Sequence, residues 1–194
     1  MSNRRNFIKK SALGTLGVSS LLGCDELNNA NIIKTYPRII STWNHGLDAN
    51  KKAWEVLKNG NGGLSAIEEG VKVSEADPKV RSVGYGGYPD REGIVTLDAC
   101  IMDKNSNCGS VSFLQNIKHP ISVARHVMED TPHVMLSGKG ALDFAISKGF
   151  KQEDLLTDDS RKDWIKWKEN SNYKPVINIE NHDTISMLLI DDSG

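Results

Sequence analysis

Asn178-Ile179-Glu180-Asn181-His182-Asp183-Thr184 runs straight into Ile185-Ser186-Met187-Leu188-Leu189-Ile190, and the fold turns on how that junction is read. A polar, proline-containing connection from Ser171 to Asn181 ends at a strongly apolar run, so Thr184 to Ile190 is predicted to be a strand. Asp191-Asp192-Ser193-Gly194 follows, a turn signal. A strand this apolar either belongs inside a sheet whose other members lie elsewhere, or it is an edge strand that closes the fold. The pattern alone leaves both open. A threonine at the head of a strand needs no function by itself.

Working upstream, helix and strand signals alternate. Arg38 to Thr42 is a short extended run. Leu64, Ile67 and Val71 recur at helical spacing, with Asp77-Pro78 as the stop. Ile94 to Met102 reads as a strand, Lys104 to Asn107 as its turn, and Ser110 to Phe113 as a second strand. Pro120 opens a helix that closes before Thr131-Pro132. Val134 to Leu136 is a brief strand, and Ala141 to Lys148 a helix ended by Gly149. Asp158 to Glu169 is a charged helix whose Trp164 and Trp167 are read as packing residues. Mixed hairpin and crossover connections indicate a layered α/β or α+β architecture, not an all-parallel sheet.

The chain has 194 residues, with 24 Lys and Arg, 25 Asp and Glu, and three cysteines. That size suits one domain with an appendage, and the composition excludes a disordered, collagenous or disulfide-dense chain. The appendage is at the start. Residues 1–23 hold Arg4, Arg5, Lys9 and Lys10, no acid, and then an uncharged stretch from Ser11 to Gly23. This reads as a signal peptide; it is too short for a membrane-spanning helix. Ser2-Asn3-Arg4-Arg5-Asn6-Phe7-Ile8-Lys9 resembles a twin-arginine export signal. Leu21-Leu22-Gly23-Cys24 resembles a bacterial lipobox, in which Cys24 is acylated.

The expectation is an exported lipoprotein of the periplasm or outer membrane, touching the membrane through its anchor only, with residues 24–36 as a tether. Clean segregation of charge disfavours the alternative, a basic amphipathic start to the domain. Without its leader the chain keeps 20 of the 24 basic residues against all 25 acids, and no basic cluster is interleaved with aromatics. A nucleic-acid partner is therefore not expected.

Several chemistries drop out. Gly84-Tyr85-Gly86-Gly87-Tyr88-Pro89 has Pro89 where a dinucleotide fingerprint needs its third glycine, and Ser137-Gly138-Lys139-Gly140 lacks the rest of a P-loop. Both are read as turns where backbone packs closely. No G-x-S-x-G elbow is present. The five histidines show no metal spacing with the cysteines, so no metal is expected. Cys100 and Cys108 flank the hairpin turn without standing opposite one another, which argues against a disulfide while leaving one open.

Beside the junction, five further motifs occur in order: Ser41-Thr42-Trp43-Asn44, Ser82-Val83-Gly84-Tyr85-Gly86-Gly87, Pro89-Asp90, Thr96 to Asp103, and Pro132-His133-Val134-Met135-Leu136. Together with Asn178 to Thr184 they resemble the glycosylasparaginases, members of the N-terminal-nucleophile hydrolases. The resemblance runs from about Ile39 to the last residue. It implies a four-layer αββα sandwich, incomplete in this chain, and a precursor that cuts itself between Asp183 and Thr184. Residues 37–183 would then be the α-subunit and 184–194 the start of the β-subunit, the cleaved pair forming a dimer of heterodimers.

The resemblance also implies that Thr184 becomes the catalytic nucleophile, Trp43 lines the substrate pocket, and Ser82 helps position the nucleophile's hydroxyl. His182 and Asp183 belong to the scissile loop, and no cofactor is needed. Read as residues alone, Trp43 could be a core aromatic and Ser82 a turn hydroxyl. Cys108 and the residues just before Pro120 depart from the family pattern without touching these positions.

The implied substrate is an asparagine bearing N-acetylglucosamine. The same resemblance places substrate-binding groups and the oxyanion hole beyond Thr184, and oxyanion donors alone are worth about 10²–10³-fold in rate. The expectation is thus that residues 24–194 alone fold poorly and do not hydrolyse. Two alternatives stand beside this reading: an asparaginase or isoaspartyl peptidase of the same superfamily, and an inactive truncated surface lipoprotein.

Overall fold

The computed structural model describes residues 37–170 and 184–192. Their first layer is a helical pair. Helix α1 (Gly46–Lys58) buries Gly46, Ala49, Ala53 and Val56, a stripe at three- and four-residue spacing. Helix α2 (Gly63–Ala76) buries Ala66, Gly70, Val71, Ser74 and Glu75, and stops at Asp77 as the sequence predicts. The two close tightly because Gly70 has no side chain: a Cβ there would sit 2.7 Å from the Ala49 carbonyl oxygen. Helix α1 escapes the sequence reading because its buried stripe consists of glycine, alanine and one valine. The large aliphatic residues that advertise α2 are missing from it.

On this pair lies a ribbon of two strands, β1 (Arg38–Ser41) and β5 (Met187–Ile190), paired antiparallel with Ile40 opposite Leu188. Ile39, Met187 and Leu189 pack on Ala53, Val56 and Ala66, while Ile40 and Leu188 are 66% and 71% exposed on the other face. Regular pairing begins three residues after Thr184, later than the sequence predicts. Residues 171–183, which include the whole of the predicted connection as well as His182 and Asp183, lie outside the described residues. So do the leader, Cys24 and the tether.

Strands β2 (Thr96–Met102) and β3 (Cys108–Gln115) form the expected hairpin. Asp103 turns it by accepting the Asn105 and Asn107 N–H groups on Oδ1, at 2.8 and 2.9 Å. Strand β2 starts two residues later than predicted because the Asp90 carboxylate holds the Glu92 and Ile94 N–H groups in a turn. Helix α3 (Pro120–Asp130) then crosses over to β4 (Met135–Ser137), which runs parallel to β3. The hairpin and crossover mixture is as expected. Cys100 stands opposite Ser110 and Cys108 opposite Met102, and both thiols are free.

Helix α4 (Gly138–Ser147) begins directly at the end of β4. This corrects the reading of Ser137 to Gly140 as a close-packed turn. Gly138, at φ 53°, swings the chain into the helix, and a Cβ at Gly140 would meet nothing within 4 Å. Helix α5 (Asp158–Asn170) has the expected bounds within one residue. Its Trp164 packs on Gly93 as predicted, but Trp167 is an exposed residue, contrary to its reading as a packing aromatic.

Helices α3 and α4 cover one face of the second sheet, where Ile101, Val111, Leu114, Ile117, Val123 and Val127 form the main core. The opposite face leaves Cys100, Met102, Phe113 and Met135 exposed. Among the described residues each sheet thus carries helices on one side only, a mixed α/β arrangement consistent with an αββα sandwich.

Candidate active site around Thr184

Thr184 is an exposed residue just before β5. Its carbonyl oxygen accepts the Thr42 hydroxyl at 3.1 Å. The same Thr42 oxygen accepts the Ser186 N–H at 3.0 Å, and the Thr42 N–H donates to the Ser186 carbonyl at 3.1 Å. Thr42 therefore extends the β1–β5 pairing past its last regular rung and fixes the backbone on either side of Ile185. It belongs to the Ser41 to Asn44 motif, but nothing in local spacing shows that it meets a residue 142 positions away.

Trp43 follows at once. Its φ of 63° is in the left-handed region that bulky residues avoid, and it is 52% exposed. It is no core aromatic. Both ends of its bend are tied down. Before it, the Ser41 hydroxyl donates to the Gly46 carbonyl at 2.9 Å, and a Cβ on Gly46 would strike that hydroxyl at 2.3 Å. After it, His45 Nδ1 and the Ser74 hydroxyl share a 3.0 Å hydrogen bond, with Ser74 buried in α2. A strained, half-exposed aromatic held beside a candidate nucleophile is the kind of outlier that clusters at functional sites.

Ser82 sits half-buried in the loop between α2 and β2. The glycines after it let that loop press on α2, as the sequence predicts. A Cβ at Gly84, φ 61°, would fall 2.1 Å from the Glu75 carbonyl oxygen, and the Tyr85 N–H donates to that oxygen at 2.7 Å. Glu75 is itself buried. Its carboxylate accepts the Ile121 N–H at 3.1 Å and lies 3.1 Å from His119 Nδ1. Burial pushes its carboxyl above the ordinary range, against the opposing effect of His119 and the Ile121 N–H.

The structure thus ties Thr184 to Thr42 through the Thr42 hydroxyl, with Trp43 next along the chain. Ser82 is held on a separate anchor, and no hydrogen bond links it to Thr184 among the described residues. Among those residues no group of three or more His, Cys, Asp or Glu is arranged to hold a metal, and no helix is long and apolar enough to cross a membrane.

Comparison with known proteins identifies the family of the chain. A family model described as Asparaginase matches residues 37–192. The chain is 54% identical over its full length to the N(4)-(beta-N-acetylglucosaminyl)-L-asparaginase of Elizabethkingia miricola, covering 58% of that protein. It is 35% identical to the protein of the same name from Rattus norvegicus, with 81% of the chain aligned to 54% of the rat protein. The chain spans little more than half the length of these relatives.

Proposed function

The chain belongs to the asparaginase family, and we propose that it is the N-terminal portion of a glycosylasparaginase precursor that cuts itself between Asp183 and Thr184. The observation that carries this is the exposed Thr184 three residues before β5, its carbonyl accepting the hydroxyl of Thr42, which precedes Trp43. Thr184 Oγ attacks the Asp183 carbonyl, the acyl group moves from nitrogen to oxygen, and water hydrolyses the ester. That frees the α-amine of Thr184. A peptide nitrogen is no base, whereas an α-amine with a pKa near ~7.7–8.0 is partly neutral at physiological pH. It can take the proton of its own hydroxyl, the threonine form of nucleophilic catalysis.

The freed Thr184 then attacks the side-chain amide of an asparagine carrying N-acetylglucosamine. The glycosylamine departs, an aspartyl ester forms, and water releases aspartate. In this scheme Trp43 offers its exposed ring to the substrate, and Ser82 positions the nucleophile's hydroxyl. Relatives that extend well beyond this span, together with two sheets each bare on one side among the described residues, support a further portion of precursor lying over those faces. Covering a side chain such as Leu188 contributes about 1.5–3 kcal/mol. We further assign residues 1–23 to twin-arginine export and Cys24 to acylation, giving a lipoprotein of the periplasm or outer membrane whose cleaved pairs dimerise.

The test is release of aspartate from N-acetylglucosaminyl-asparagine by the complete protein, with asparagine and an isoaspartyl peptide in parallel. The glycosylated substrate is expected to be turned over fastest, and Thr184→Ala to abolish turnover. Undiminished activity in that variant excludes the mechanism.

A further inference from the structure

Ser160, Thr157 and Arg81 form a polar knot around one buried hydroxyl that the scheme above leaves unused. Ser160, in the first turn of α5, is 0% exposed. Its hydroxyl donates to the Gly86 carbonyl and accepts from Arg81 Nη1. The Thr157 hydroxyl supplies a third bond at 3.0 Å. One proton and two lone pairs are then all engaged, the full capacity of a serine side chain. Arg81 reaches Asp163 with its other terminal nitrogen at 3.0 Å. The Gly86 N–H donates to the Leu155 carbonyl at 2.8 Å, and the Tyr88 N–H to the Arg81 carbonyl at 2.8 Å. One turn further along α5, Trp164 Nε1 donates to the Arg91 carbonyl at 3.2 Å.

Helix α5 therefore grips the loop at Arg81 and at Gly86, on either side of Ser82. The same helix ends at Asn170, and residues 171–183 lead from it to the proposed scissile bond. We propose that Ser160, acting with Arg81, is a positioning residue for self-cleavage. Its buried hydroxyl locks the start of α5 to the Arg81–Gly86 loop on both sides of Ser82, so that Ser82 is held for its part in positioning the nucleophile's hydroxyl. This rests on the self-cleavage reading above.

The experiment uses the complete precursor and follows appearance of the cut product by intact mass. Ser160→Ala leaves the Gly86 carbonyl and the Arg81 guanidinium without their shared partner, and loss of one such buried bond is worth roughly tenfold in an equilibrium or rate. The comparator is Val123→Ala, which weakens the core under α3 far from this knot, read at the same interval below its own thermal midpoint. The expected result is that Ser160→Ala self-cleaves about tenfold more slowly than Val123→Ala, with faster hydrogen exchange at the Gly86 and Tyr88 amides and unchanged exchange in α3. Equal cleavage rates, or unchanged exchange at Gly86 and Tyr88, overturn the proposal.

If Ser160→Ala does not fold, Arg81→Lys is read against the same comparator. It keeps the charge but cannot reach Ser160 and Asp163 together, and it is expected to slow cleavage about threefold, at the low end of a neutral hydrogen bond. A wild-type precursor that never cuts overturns the self-cleavage reading and this proposal with it. A wild type that cuts beside a Ser160→Ala variant that cuts equally well overturns this proposal alone.

Discussion

Sheet β2–β3–β4 and ribbon β1–β5 both rest on helices, yet they differ in what they bury. Under the sheet, Val111, Leu114, Ile117, Val123 and Val127 are almost wholly removed from water. In the ribbon no residue of either strand is buried, and its cross-strand pair Ile40 and Leu188 faces outward. The sheet with α3 and α4 is a finished piece of core, close-packed as interiors are. The ribbon carries Thr184, and its position is set by one helical pair beneath it and by the Thr42 clasp. Among the described residues both therefore leave one apolar face uncovered, but the sheet encloses a fully buried core on its other face, whereas neither strand of the ribbon is buried.

The sharpest way to break this comparison is on the scaffold side. A Cβ at Gly109 would fall 2.2 Å from the Ala124 carbonyl oxygen and 2.5 Å from the Met128 nitrogen. Backbone meets backbone there, so Gly109→Ala must push α3 off β3. It is expected to cost about 3 kcal/mol or more by denaturant titration. A cost under about 1 kcal/mol would mean that α3 does not sit on the sheet as described.

The ribbon gives the next test. If its bare face is covered in the complete precursor, Leu188→Ala costs about 2 kcal/mol or more there, as a core leucine does. If that face stays in water, the cost is within about 0.5 kcal/mol.

Glu75 joins the two regions, since its carbonyl holds the loop of Ser82 and its carboxylate holds the start of α3. Its carboxyl titrates higher in the folded protein than its ordinary 4.5, chiefly through burial. The native state then holds a proton that the unfolded chain has lost. The stability this contributes is fully present below about pH 4.5 and fades as pH rises through the folded value. Glu75→Gln removes that titration, so its thermal midpoint should gain on wild type as pH rises above 4.5. A difference that stays constant with pH would contradict the burial effect.

The smallest expected effect is at Gly140, in the first turn of α4 with open space about its missing side chain. Gly140→Ala should stabilise by about 0.5–1 kcal/mol in the same titration.

Large apolar residues at regular spacing made α2, α3 and the β2–β3 hairpin legible in the sequence. Helix α1 was hidden because its contact with α2 is made by Gly46, Ala49 and Ala53, whose small side chains carry little hydrophobic signal. The Ser137 to Gly140 segment misled because glycine signals a turn equally well when that turn opens a helix. At the site, the ordered motifs pointed to Trp43, Ser82 and Thr184. The roles of Thr42, Glu75 and Ser160 depend on partners 142, 46 and 74 residues away, and no local pattern encodes such distances.

The most direct test of the central claim is the mass and N-terminal sequence of the complete precursor and of its Thr184→Ala variant, purified side by side. Two chains from the wild type, the second beginning at Thr184, beside a single uncut chain from the variant, is the predicted result. A wild type that remains one chain, or a variant cut at the same bond, contradicts it.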